Sequence, residues 1–220
     1  MPELNASIRA IHLPGRMRHL PISATGYPVP WFVGWLDGEP DFRVIGPGRL
    51  GRAARADLCW LCGQTLGRFK AFTIGPMCAV NRISAEPPSH RECAEYAVKA
   101  CPFLTRPRMR RNEKDIPEEA EAPAGIGLKR NPGVTLIWIT KSYRLVGQPG
   151  GGVLFAVGAP ETLHFYAEGR RATREEIMAS IDSGLPHLRQ IAEIEGRDAI
   201  VALEHQLRAA MHLIDAAVAA

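Results

Sequence analysis

The chain has 220 residues, is 46% hydrophobic and 23% charged, and carries a net charge of +4. It is long enough to bury a core without help from a metal or disulfides. No apolar run approaches the roughly 20 residues needed to cross a bilayer, which excludes a membrane-spanning helix. Met1 to His19 contains no signal-like apolar stretch, and five cysteines suit a reducing compartment, where thiols bind metal in preference to forming disulfides. A cytoplasmic protein is expected.

The charge is uneven. Residues 1–111 carry 16 Lys and Arg against 8 Asp and Glu, a net of +8, whereas residues 112–220 carry 11 against 15, a net of −4. A basic half attracts anionic partners, nucleic acid among them.

In chain order, residues 1–57 read as turns and short strands. Trp31 to Leu36 predicts a strand, Asp37-Gly38 a hairpin turn, and Phe42 to Ile45 the returning strand. Trp31 and Trp35 are expected in the core. Residues 58–105 hold the cysteine-rich module, with room for a hairpin between Phe69 and Ile83 around Gly75-Pro76. Residues 106–132 read as a linker: Arg106, Arg108, Arg110 and Arg111 lead into an acidic stretch punctuated by proline and glycine.

Strands return over 133–168, at Val134 to Thr140, Val153 to Val157 and Leu163 to Tyr166, with Gly150-Gly151-Gly152 as a turn. No Lys-Ser/Thr follows those glycines, so they do not make a phosphate loop. Thr173 with Glu176 predicts a capping box at the start of a helix. Gly184 and Pro186 are expected to break or kink that helix before it resumes at His187. After Gly196 a last helix carries Ile200, Leu203, Leu207, Met211 and Ile214 on one stripe, facing Ile177, Ile181, Leu188 and Ile191 of its predecessor. The two helices are expected to pair antiparallel, and the stripe also offers a route to self-association.

The strongest chemical pattern is two spaced pairs. Cys59-Trp60-Leu61-Cys62-Gly63 is a Cys-x-x-Cys knuckle whose glycine supplies a positive φ. His90 and Cys93, three apart at the start of a helix capped near Ser89, fall on one face. Three thiolates and an imidazole suit a closed tetrahedral zinc site of structural type. Cys78 stands as an alternative to His90, and Cys101 reads as a core residue. A catalytic zinc needs an open position, and four protein ligands leave none.

Knuckle, hairpin and a helix whose first turn supplies two ligands resemble the treble-clef zinc finger over residues 58–103. That group includes the HNH nucleases, which Asn81 and His90 partly match. Residues 63–89 contain no histidine to act as the base, so the resemblance implies the scaffold without its chemistry. Gly75 to Arg82, Pro87 to His90 and Glu168 to Ile177 are similar to uncharacterised phage and prophage proteins, which implies a phage context in a bacterial host.

The expected fold is therefore α+β: short antiparallel strands, a treble-clef-like zinc module and a C-terminal helical hairpin. The expected division is 1–105, a 106–132 linker, and 133–220. Three functions compete. The first is nucleic-acid binding through the basic half, with Arg106, Arg108, Arg110 and Arg111 on phosphates. The second is a protein-interaction factor acting on a host protein. The third is an enzyme, for which His164, His187, His205 and His212 make no complete catalytic set.

Overall fold

The computed structural model describes residues 3–107, 109–117, 120–121, 130–148 and 152–219. Gly150 and Gly151 of the expected glycine turn, and Arg108, lie outside them.

Strands β1 (Val33–Leu36) and β2 (Glu39–Ile45) form the expected hairpin. Asp37 and Gly38 both take positive φ, 49° and 84°, the tight turn that Asp-Gly favours. Trp35, expected in the core, is 50% exposed, on a two-stranded ribbon that joins no larger sheet among the described residues. Helix α1 (Arg49–Ala56) follows.

The expected hairpin between 69 and 83 does not form. Strand β3 (Lys70–Ile74) runs into helix α2 (Pro76–Asn81), with Gly75 as N-cap and Pro76 in the first helical turn, where its missing N–H costs nothing. Strand β4 (Ile83–Ser84) then leaves for a different sheet. Helix α3 (Arg91–Ala100) begins at His90 as N-cap, one residue later than the Ser89 cap expected, because Ser89 exchanges two backbone hydrogen bonds with Ala71 of β3 (2.9 and 2.8 Å). Helix α4 (Pro102–Thr105) is a single turn.

Strand β5 (Thr135–Thr140) is buried along its whole length and organises the molecule. It lies antiparallel between β3 and β8 (Pro160–Ala167), and the short β9 (Arg170–Arg171) completes the order β3-β5-β8-β9. Side chains alternate across this sheet. Ile137 and Ile139 meet Ala94 and Val98 of α3 on one face. Leu136 and Trp138 meet Ile177, Ile181 and Ile214 of the C-terminal helices on the other. Strand β7 (Val153–Val157) sits between β4 and β6 (Tyr143–Gly147). Its Phe155 lies 5.7 Å from Tyr143 and 6.3 Å from Phe72 by ring centroid, joining the two sheets.

The segments before and after 106–132 thus share one sheet. Parts of 106–132 are themselves placed: Glu121 bridges to Ile45, and Asn131 accepts the Gly133 amide while donating to the Phe103 and Arg106 carbonyls.

Helix α5 (Arg174–Glu195) has the predicted capping box: Thr173 Oγ1 accepts from the Glu176 amide (3.3 Å), and Glu176 accepts from the Thr173 amide (2.8 Å). The break expected at Gly184 and Pro186 is absent, and the helix runs through both. Pro186 is exposed, and the carbonyl it deprives of a donor belongs to exposed Asp182, which water reaches. Helix α6 (Arg197–Ala219) packs back antiparallel, and Arg174 at the start of α5 pairs with Asp215 near the end of α6 at 3.0 Å. Leu203, Ala210 and Ile214 are buried, with Leu207 half-buried beside them; Ile200, expected on the stripe, is 37% exposed, since the covering layer begins at Leu203 against Val80 of α2.

Candidate metal centre

Cys59, Cys62, His90 and Cys93 converge as the two spaced pairs predict. All four are buried, and their ligand atoms lie within 4.8 Å of one another. Among the described residues no other group of three or more His, Cys, Asp or Glu side chains does so. Cys78, the alternative to His90, sits on α2 outside the cluster, and burial pushes its thiol up to about 11. Burial also raises Cys101, so both behave as protonated packing thiols.

The local backbone builds the first pair. The knuckle is closed by Cys59 N–H to Gln64 carbonyl and Gly63 N–H to Cys59 carbonyl, each 2.8 Å. Gly63 has φ 73°, and a Cβ there would strike the Trp31 indole, so conformation and space both require glycine. Two backbone amides, of Cys62 and His90, donate to Cys59 Sγ at 3.4 Å each. The second pair rides on α3, whose N-terminal dipole end faces the sulfurs and favours their negative charge.

His90 is oriented by a partner on its far side. Its Nε2 lies 3.1 Å from the Thr65 carbonyl and its Nδ1 3.4 Å from Cys62 Sγ. Nε2–H therefore donates to Thr65, and Nδ1 is the nitrogen left for a metal. No side-chain pattern marks Thr65, because it contributes through its backbone carbonyl.

Hydrogen bonding inside the cluster shifts Cys59, Cys93 and His90. Hydrogen bonds from Cys62 and then Cys93 push the Cys59 thiol strongly down, and the bond with Cys59 pushes Cys93 strongly up. Hydrogen bonding to Cys59 and Cys62 raises His90 to about 10. A metal cation replaces such hydrogen bonds and stabilises the thiolates together. The shell around the cluster is largely apolar: Ile8, Met17 and Leu20 of the N-terminal segment pack with Leu66, Tyr96 and Ala100 around the cysteines. Arg16 latches that segment down, donating to Glu92 (2.9 Å) and Gln64 (3.1 Å).

The residues singled out for nucleic acid are less unified. Arg106 and Arg110 are exposed, whereas Arg111 donates to the Arg43 carbonyl at 2.6 Å and is committed to the fold. Asn81 Oδ1 accepts from the Ile83 amide at 3.0 Å and closes a turn. His187, His205 and His212 are exposed and separate from the cluster, and half-buried His164 has an Nε2 with no hydrogen-bond partner.

The class is thus an α+β protein with antiparallel sheets, a C-terminal helical pair and a buried Cys3His cluster suited to a metal ion. No protein family, curated protein or solved structure matches the chain. Among the described residues no helix is long and apolar enough to cross a membrane.

Proposed function

We propose that Cys59, Cys62, His90 and Cys93 hold one structural zinc ion, and that the chain is a phage-type, zinc-stabilised binding protein that contacts nucleic acid through its basic N-terminal half. The observation that carries the metal reading is the buried cluster of three sulfurs and one oriented imidazole nitrogen. Ligand sulfurs around a tetrahedral zinc stand about 3.8 Å apart, given Zn–S bonds of ~2.3 Å, so the cluster needs only a small contraction. Four protein ligands in an apolar shell leave no place for a reacting water, which favours a structural role.

The nucleic-acid reading is supported by the net +8 of residues 1–111 and by guanidinium groups there that lack carboxylate partners among the described residues. A protein-interaction role has its own support: Ile194 and Val201, 81% and 58% exposed, flank the α5–α6 connection in the acidic half. Metal analysis of purified protein tests the zinc directly. About one zinc per chain is expected, lost in Cys62→Ser; a folded native protein free of metal overturns the reading. Salt-dependent binding to DNA or RNA tests the partner, and its absence leaves the protein-interaction role.

A further inference from the structure

We infer that Arg49 and Arg52, which lie over Trp31 beside the metal knuckle, form with Arg55 a phosphate-contacting face for nucleic acid. The inference rests on the nucleic-acid reading above and names its surface, which differs from the Arg106–Arg111 run.

The Arg49 guanidinium lies 4.5 Å from the Trp31 ring centroid, and that of Arg52 lies 5.9 Å away. A guanidinium held over an indole keeps its N–H edge free for the paired oxygens of a phosphate, and it has already given up much of its rotamer freedom. Arg52 and Arg55 are exposed, and α1 contains no acidic residue. Among the described residues none of the three arginines has an ion-pair partner. They recur every third residue, about 4.5 Å apart along the helix axis. Such a row matches a repeating anion better than a single carboxylate.

The neighbouring acids are already engaged. Asp57 pairs with Lys70 (3.1 Å) and accepts from Tyr143 (3.0 Å). Glu121 accepts the Gly48 amide at 3.0 Å. The Arg106–Arg111 run, by contrast, has Arg111 tied to a backbone carbonyl.

The metal cluster sets this face through Trp31. The Trp31 amide donates to the Leu61 carbonyl of the knuckle at 2.8 Å, and its ring packs on Gly63 and edge-on to Trp60 (6.5 Å). The knuckle therefore fixes the platform over which the two arginines lie.

The test uses the metal-loaded full chain and labelled single-stranded and duplex DNA and RNA oligonucleotides in anisotropy titrations across a salt series. Each lost charge-assisted contact should weaken binding roughly ten-fold. Arg49→Ala/Arg52→Ala should also flatten the log–log salt slope on duplex DNA by about 1.8, at about 0.9 per phosphate contact. Arg49→Lys/Arg52→Lys keeps the charge without the planar guanidinium and should fall between wild type and the alanine variant, which guards against misfolding as the cause. Arg106→Ala/Arg110→Ala should lose less than the α1 variant. Wild-type affinity and slope in Arg49→Ala/Arg52→Ala would overturn the surface while leaving nucleic-acid binding intact. No salt-dependent binding by the wild type to any of these probes would overturn the nucleic-acid reading and the surface together.

Discussion

Gly184 of α5 lies directly against Met77 of α2: a Cβ built on the glycine would stand 2.6 Å from the Met77 sulfur. The glycine that looks like a helix breaker is the place where two helices touch. Replacing it with alanine gains about 1 kcal/mol of helix propensity, but overpacking costs typically 1–3 kcal/mol. Gly184→Ala should therefore be destabilising or neutral in thermal melts. A double-mutant cycle with Met77→Ala should show coupling of about 1 kcal/mol or more. A plain gain in stability from Gly184→Ala would show that Met77 yields freely.

The corrected C-terminal stripe makes a paired prediction. Leu203 is 8% exposed and Ile200 is 37% exposed. Leu203→Ala should cost about 2–3 kcal/mol as a core truncation, and Ile200→Ala should stay within about 0.5 kcal/mol, as surface changes do. Denaturant melts of the two variants would decide this, and equal losses would place Ile200 in an interface that forms in solution.

Removal of the metal should act locally. A chelator strong enough to strip the site should raise hydrogen exchange first in the knuckle and the first turn of α3, and in the N-terminal segment that covers them, because metal binding there is coupled to folding. The C-terminal helices, packed on the opposite face of the main sheet, should keep their protection longer. Uniform loss across the chain would contradict a local role.

The start of α5 should show a pH signature. The Arg170 side chain, then the Thr173 amide, hold Glu176 down to about 2 from its ordinary 4.5. A depressed carboxyl contributes stability above its unfolded value and loses it as pH falls through the folded one. Wild type should therefore melt above Glu176→Gln at neutral pH, and the gap should close between about pH 4.5 and pH 2. A gap that persists unchanged at pH 2 would assign the stability to packing instead of charge.

Local chemistry is legible in the chain. Asp37-Gly38 announces its turn through φ, Thr173 and Glu176 announce their cap through spacing, and the two ligand pairs announce the cluster. Elements whose form is decided by a distant partner are not legible in this way. Gly75-Pro76 serves a hairpin turn or a helix start equally well; the choice falls to β5, which takes β3 as its neighbour from more than 60 residues away. Pro186 reads as a breaker until one sees that its ring faces water. Trp31 packs against the core as expected, but only the fold brings Arg49 and Arg52 above its ring. Thr65 and Leu61 act through carbonyls, which every residue possesses, so no side-chain pattern could have marked them.

The pairing of β3 with β5 bears on any attempt to cut the protein down. A fragment comprising residues 58–103 would keep all four ligands but would strip β3 of its neighbour, leaving the hydrogen-bonding edge of Lys70–Ile74 bare with Phe72 and Ile74 uncovered. An unprotected apolar edge of that kind recruits further strands. Such a minimal finger should precipitate or stack into assemblies even when saturated with metal, whereas a longer piece reaching through Ala167 carries its own cover.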